Sequence, residues 1–182
     1  VYLSVTDPKQ QQNFDTFSNW AKTLLQDFNE IDRYLLAPEH VFSYLKDIEA
    51  IKRWDLEAQN TTVLIDNYLQ FWNQMPVYYQ ALYNVLLQKG AGYQGLVYRE
   101  AVENLHHFSN AISDEHYVFA GFNALNQAEE RIFQHLLAIN RATVYWDVDA
   151  SFLNDPYHDA GLFSRKIKNN WSYYKSHPYE WI

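Results

Sequence analysis

The stretch "HYVFAGFNALNQAEERIFQHLLAINRATVYWDVD", His116 to Asp149, constrains the fold more than any other part of the chain. Tyr117-Val118-Phe119 is a short apolar run that closes on Gly121. Asn126 and Glu129 stand at capping-box spacing, Ile132, Phe133, Leu136 and Leu137 follow at helical steps, and "ATVYWDV" is β-branched and aromatic. Strand, helix and strand over so short a span imply a parallel pair with a right-handed crossover. Ligands of open α/β sheets bind at the carboxyl ends of the strands, so the turns after Phe119 and Trp146 are where chemistry is expected.

Those turns offer little of it. A phosphate cradle needs glycines that let backbone N–H groups approach, followed by Lys and Ser or Thr, and none of the glycines at 90, 92, 95, 121 and 161 belongs to such a run. Gly121 reads instead as relief of crowding between strand end and helix. Asp147 and Asp149 are hard oxygen donors suited to Mg²⁺, but with no phosphate loop and no third ligand they read as solvated strand-end carboxylates. No catalytic, cofactor or metal residue is assigned.

The preceding residues read as helices. Asp7, Pro8 and Gln10 resemble a helix start, after which Phe14, Phe17, Ala21, Leu24, Phe28, Ile31 and Leu35 alternate at three- and four-residue steps until Ala37-Pro38. Val41, Phe42, Leu45 and Ile48 mark a shorter helix, and "IKRWDLEAQN" a connector. A second long seam runs from near Thr61 or Thr62 through Ile65, Tyr68, Trp72, Met75, Tyr79, Leu82 and Leu86, with a kink expected from Pro76. A further helix from Tyr93 to Asn110 would face Leu96, Val97, Ala101, Leu105 and Phe108 inward. "NDPYHDAG" reads as a loop, Pro156 to Lys168 as a last helix, and the aromatic tail shows no period. The fold class expected is mainly α with a small parallel βαβ element, residues 1–112 forming a helical domain and 113–182 the βαβ piece with a C-terminal helix.

Other candidate residues have ordinary readings. Glu103 and His106 have the Glu-x-x-His spacing of di-iron bundles, but no second copy exists, and His106-His107 should point to two different faces. Asp27, Glu30 and Asp32 read as acids on the outer side of the first helix, accompanied by Arg33. Asp7-Pro8-Lys9 matches the tail of a nuclease motif, but a proline opening a helix cannot be its metal-binding strand. Arg165, Lys166 and Lys168, with Trp171, Tyr173 and Tyr174, form a basic cluster interleaved with aromatics, the residue types that phosphate contact and base stacking use. Cations at a helix C-terminus account for the charges equally well.

Composition narrows the partners. The 182 residues carry 14 Lys+Arg against 22 Asp+Glu, a net charge of −8 that argues against autonomous nucleic-acid binding. No cysteine is present, which removes disulfides and thiolate metal sites, and no apolar run reaches the ~18–20 residues of a membrane span. The expectation is a cytoplasmic protein without membrane contact. The start at Val1 and the ending "HPYEWI" read as a piece of something longer.

Two passages carry a family resemblance. "NWAKTLLQDFNEIDRYLL" with "LKDIEAIKRWD", and "YVFAGFNALNQAEERIFQHL" with "VYWDVDASFLNDPYHDAG", resemble the N-terminal helicase-like part of AddB-type proteins of the PD-(D/E)XK nuclease superfamily. The resemblance implies an often inactivated superfamily I helicase core ahead of a nuclease domain, acting with a helicase partner subunit in double-strand-break repair. The helical residues would be the insertion of the first helicase domain, and the βαβ piece a fragment of its RecA-like core. Ala120 and Gly121 would stand where active helicases carry the acid that organises Mg²⁺. The implied role is noncatalytic scaffolding, with no cofactor, partnered by the remaining domains of the parent chain and by DNA through the intact complex. Arg165, Lys166, Lys168 and Trp171 are the residues expected to touch nucleic acid. The alternatives are a helical interaction module unrelated to DNA, favoured by a large exposed apolar patch between the helical region and the βαβ unit unless that patch marks a severed domain contact, and a metal-dependent enzyme using Glu103, His106 and other carboxylates.

Overall fold

The computed structural model describes the backbone of residues 1–54, 63–111 and 115–178, and the side chains of these apart from 48–54 and 63–70. The chain divides into two compact units, Val1–Val97 and Tyr98–Ile182, so the boundary expected at residue 112 falls earlier, inside a helix.

The first unit is helical. A short α1 (Tyr2–Val5) precedes α2 (Phe14–Arg33), α3 (Pro38–Trp54), α4 (Val63–Gln88) and the start of α5 (Gln94–Glu103). The helix start expected at Asp7 does not form. Asp7 closes a local turn, its carboxylate accepting from the Lys9 amide at 2.8 Å, and α2 begins at Asn13, whose side chain accepts from the Thr16 amide at 2.9 Å. Asn13 takes the capping role because the segment before it is held elsewhere: Tyr2 stacks on Phe17, and buried Thr6 meets the Tyr78 hydroxyl at 2.9 Å. Phe14, at 76% exposed, lies outside the seam assigned to it.

The core of this unit gathers Phe28, Ile31, Phe42, Met75, Tyr78 and Tyr79. Ile65 and Tyr68, and the start expected at Thr61 or Thr62, lie outside the described side chains or residues. α3 continues through Trp54, into what the sequence suggested was a connector, and α4 continues as one helix through Pro76. Gly95 packs directly on α2, where a Cβ would lie 2.3 Å from the Asn29 carbonyl oxygen, and its own N–H donates to the Asn29 side chain at 2.8 Å. No other residue fits that approach.

Asp32 is the main correction in this unit. It is 0% exposed, not on an outer face, because it stands four residues after Phe28 on the same side of α2. The Tyr79 hydroxyl donates to one carboxylate oxygen at 2.6 Å and the Tyr93 hydroxyl to the other at 2.5 Å. Two phenols from α4 and the α4–α5 turn thus close on one acid of α2. Asp27 and Glu30 are exposed, as expected, with Glu30 paired to Arg33 at 2.9 Å.

The second unit contains the remainder of α5, α6 (Leu105–Ala111), β1 (Tyr117–Phe122), α7 (Gln127–Ala138), β2 (Ala142–Trp146), α8 (Ala150–Asn154), a 3-10 turn at Asp159–Gly161, α9 (Leu162–Asn170) and α10 (Ser172–Ser176). The protein is mainly α with a two-stranded parallel sheet, the fold class expected. The helix expected from Tyr93 to Asn110 is broken at Asn104, whose side chain donates to the Glu100 carbonyl at 2.8 Å. Val97 and Phe108, placed inward by the sequence pattern, are 52% and 42% exposed.

β1 pairs with β2 from Tyr117 opposite Ala142 to Phe122 opposite Trp146, with a bulge between Ala120 and Phe122. Gly121 sits in that bulge at φ +77°, with open space where a Cβ would be. Its role is therefore conformational, and the crowding expected there is absent. α7 opens on the predicted capping box: the Asn126 side chain accepts from the Glu129 amide and the Glu129 carboxylate accepts from the Asn126 amide, each at 2.9 Å. Its buried stripe of Phe133, Leu136 and Leu137 packs on Val144 and Trp146 together with Ile167, Trp171 and Tyr174. The tail without a period thus supplies core, and the buried Trp146 indole N–H donates to the Tyr174 hydroxyl at 2.8 Å.

Two results are expected from urea unfolding. Gly95→Ala should cost about 2–3 kcal/mol through overpacking, while Gly121→Ala should cost about 1 kcal/mol through left-handed backbone alone. Asp32→Asn should cost about 2 kcal/mol, since the amide turns one of two acceptors into a donor facing a phenol that donates.

Candidate functional site

The carboxyl rim of the sheet has a definite chemistry, set by α7. Helix N-termini attract anions because their first N–H groups lack partners and the peptide dipoles add there. At α7 the Glu129 carboxylate fills that position as part of the capping box, and Glu130 follows in the same turn. An incoming phosphate would meet a carboxylate and find the Asn126 and Glu129 amides engaged. The residues between the bulge and this cap, Phe122, Asn123, Ala124 and Leu125, offer no cation.

The acids after β2 are arranged for a local purpose. Asp149 caps α8; the Ser151 hydroxyl and then the Ser151 amide donate to its carboxylate and hold its pKa below the usual range. Asp147 is exposed. Among the described residues no three of His, Asp and Glu are grouped as a metal ion would require. Glu103 and His106 do not share a helical face, because α5 ends at Glu103 and α6 begins after the break, and Glu103 lies 3.8 Å from Arg99. The rings of His106 and His107 do not diverge: their centroids are 3.9 Å apart.

The basic cluster is divided by its surroundings. Arg165 donates to the carbonyls of Phe152 at 2.6 Å, His158 at 2.7 Å and Pro156 at 3.4 Å, so its guanidinium ties down the loop before α9. Trp171 is 3% exposed, and stacking of its ring on a base is ruled out by core packing against Trp146 and Tyr174. Lys166 and Lys168 are exposed, with the Lys166 ammonium 6.0 Å from the Phe163 ring.

A cavity of about 940 Å³ lies elsewhere in this unit, between α7, α10 and the α5–α6 region. Its polar walls include Arg131 and His135 from α7, His106 from α6, Ser172 and Ser176 from α10, and His177 at the C-terminal cap of α10. Sequence motifs do not single these residues out as a group. One signal is present: Gln127, Arg131, Gln134, His135 and Ala138 recur at helical steps on the side of α7 away from its apolar stripe. The contributions from α6 and α10 have no such signal, because they meet α7 only in the fold.

The chain matches no family model, no curated protein and no solved structure.

Arg165→Ala should lower stability by about 1–2 kcal/mol and speed amide exchange across 152–161, because three carbonyls lose a charged donor. Lys166→Ala and Lys168→Ala should stay within about 0.5 kcal/mol of the parent in the same urea titration.

Proposed function

We propose that this chain is a noncatalytic, helicase-like scaffold piece of a DNA-repair helicase-nuclease subunit of the AddB type. The observation that carries the reading is the occupied N-terminus of α7. A βαβ unit that binds nucleotide leaves this end open for phosphate, whereas here Asn126 and Glu129 close it internally. The unit then serves by its shape. A parallel sheet is ordinarily covered on both faces, and here Val118 and Tyr145 on the face away from α7 are 64% and 57% exposed. That surface suits packing against the remaining domains of a parent chain. Contact with DNA in the intact assembly would fall to the exposed Lys166 and Lys168 rather than to Arg165 or Trp171.

An interaction module unrelated to DNA would use the same exposed sheet face. Calorimetric titration of the protein with Mg·ATP should give no saturable heat that depends on Asn123 or Ala124. Saturable binding that disappears on changing Asn123 or Ala124 would place a nucleotide at the rim and overturn the noncatalytic reading.

A further inference from the structure

We infer that the cavity between α6, α7 and α10 is a binding site for a phosphate group. Arg131 is exposed at its wall and makes no ion pair or hydrogen bond among the described residues, an unengaged guanidinium in a chain of net charge −8. The titratable and charged groups that line the cavity are His106 from α6, Arg131 and His135 from α7, Tyr173 from α10 and His177 at its C-terminal cap; the α5 contribution is Val102. No Asp or Glu is among the described lining residues, so no fixed negative charge opposes an anion. The Ser172 hydroxyl adds a neutral donor from α10, while the Ser176 hydroxyl donates to the Ser172 carbonyl at 3.3 Å.

The imidazoles are oriented, not loose. The Nδ1 of His177 lies 3.0 Å from the Tyr173 carbonyl, and its ring stacks on that of Tyr173 at 4.4 Å. Nδ1–H therefore donates to the carbonyl, since a carbonyl oxygen only accepts. His135 is held through its Nε2 by the Ser109 hydroxyl. An arginine, imidazoles and a serine hydroxyl lining one cavity without a carboxylate are the residue types that phosphate oxygens select. A volume of about 940 Å³ leaves room for an organic moiety attached to the phosphate.

This site is independent of the helicase-like reading, and its ligand has two sources: a small phosphomonoester or the phosphate of a nucleic-acid strand. The test titrates the protein by calorimetry with phenyl phosphate, and with a short oligothymidylate carrying or lacking a 5′-phosphate. Arg131→Gln is the variant, since that side chain holds no partner whose loss would unfold the protein, and Lys168→Gln is the control. Saturable binding of phenyl phosphate, weakened about ten- to hundredfold by Arg131→Gln and unchanged by Lys168→Gln, is the expected result. Binding of the oligonucleotide with the same dependence on Arg131 supports the site with a nucleic-acid source, and binding of phenyl phosphate alone supports it with a small-molecule source. Absence of saturation by all three probes, or equal affinity in Arg131→Gln, overturns the proposal.

Discussion

The parallel pairing of β1 with β2 is the constraint on which the second unit depends. Parallel neighbours cannot be joined by a tight turn, so the chain must travel back along the sheet before the second strand begins, and α7 makes that return. The return fixes which residues become interior. Phe133, Leu136 and Leu137 fall on the sheet side of the helix and cover Val144 and Trp146. Two strands are too few to enclose an indole, and the N–H of Trp146 would remain buried without a partner. Tyr174 supplies the acceptor, which draws the tail in and buries Trp171 beside it.

That requirement reorganises the basic cluster. In sequence, Arg165 to Tyr174 reads as cations alternating with aromatic rings, a pattern suited to a polyanion. In the fold the rings serve Trp146, and the guanidinium of Arg165 gathers the carbonyls of a loop that has no regular partner of its own. The pattern was legible and its use was not, since use depends on β2 lying beside α10.

The two capping-box sequences show the same limit. Asn126 with Glu129 forms both bonds, and Asp7 with Gln10 starts no helix, although the spacing is equal. The residues on the C-terminal side of each box decide the outcome. A stripe ending in Phe133, Leu136 and Leu137 has a sheet to cover, whereas Lys9 to Gln12 has no apolar face to bury, and Tyr2 and Thr6 are held by Phe17 and Tyr78. Period and capping read well where burial agrees with them. Asp32 escaped for a different reason. An acid beside Phe28 and Ile31 looks like a surface charge unless two hydroxyls, 47 and 61 residues further along, are known to close on it. A buried carboxylate is stable only with such donors, and nothing local announces them.

α7 finally shows how one helix can hold opposite electrostatic roles. Its N-terminus, the natural place for an anion in a βαβ unit, is neutralised by its own Glu129, while four residues' spacing along the outer stripe brings Gln127, Arg131 and His135 to a separate wall. The carboxylate at the end and the unengaged guanidinium on the side act together. An anion approaching this unit is disfavoured at the strand ends and favoured one to two turns along the helix, on the face turned from the sheet. The rim can therefore be chemically quiet while the same twelve-residue helix still carries an anion-selective surface, because backbone dipole and side-chain charge are placed by different rules, one by the helix end and the other by the helical period.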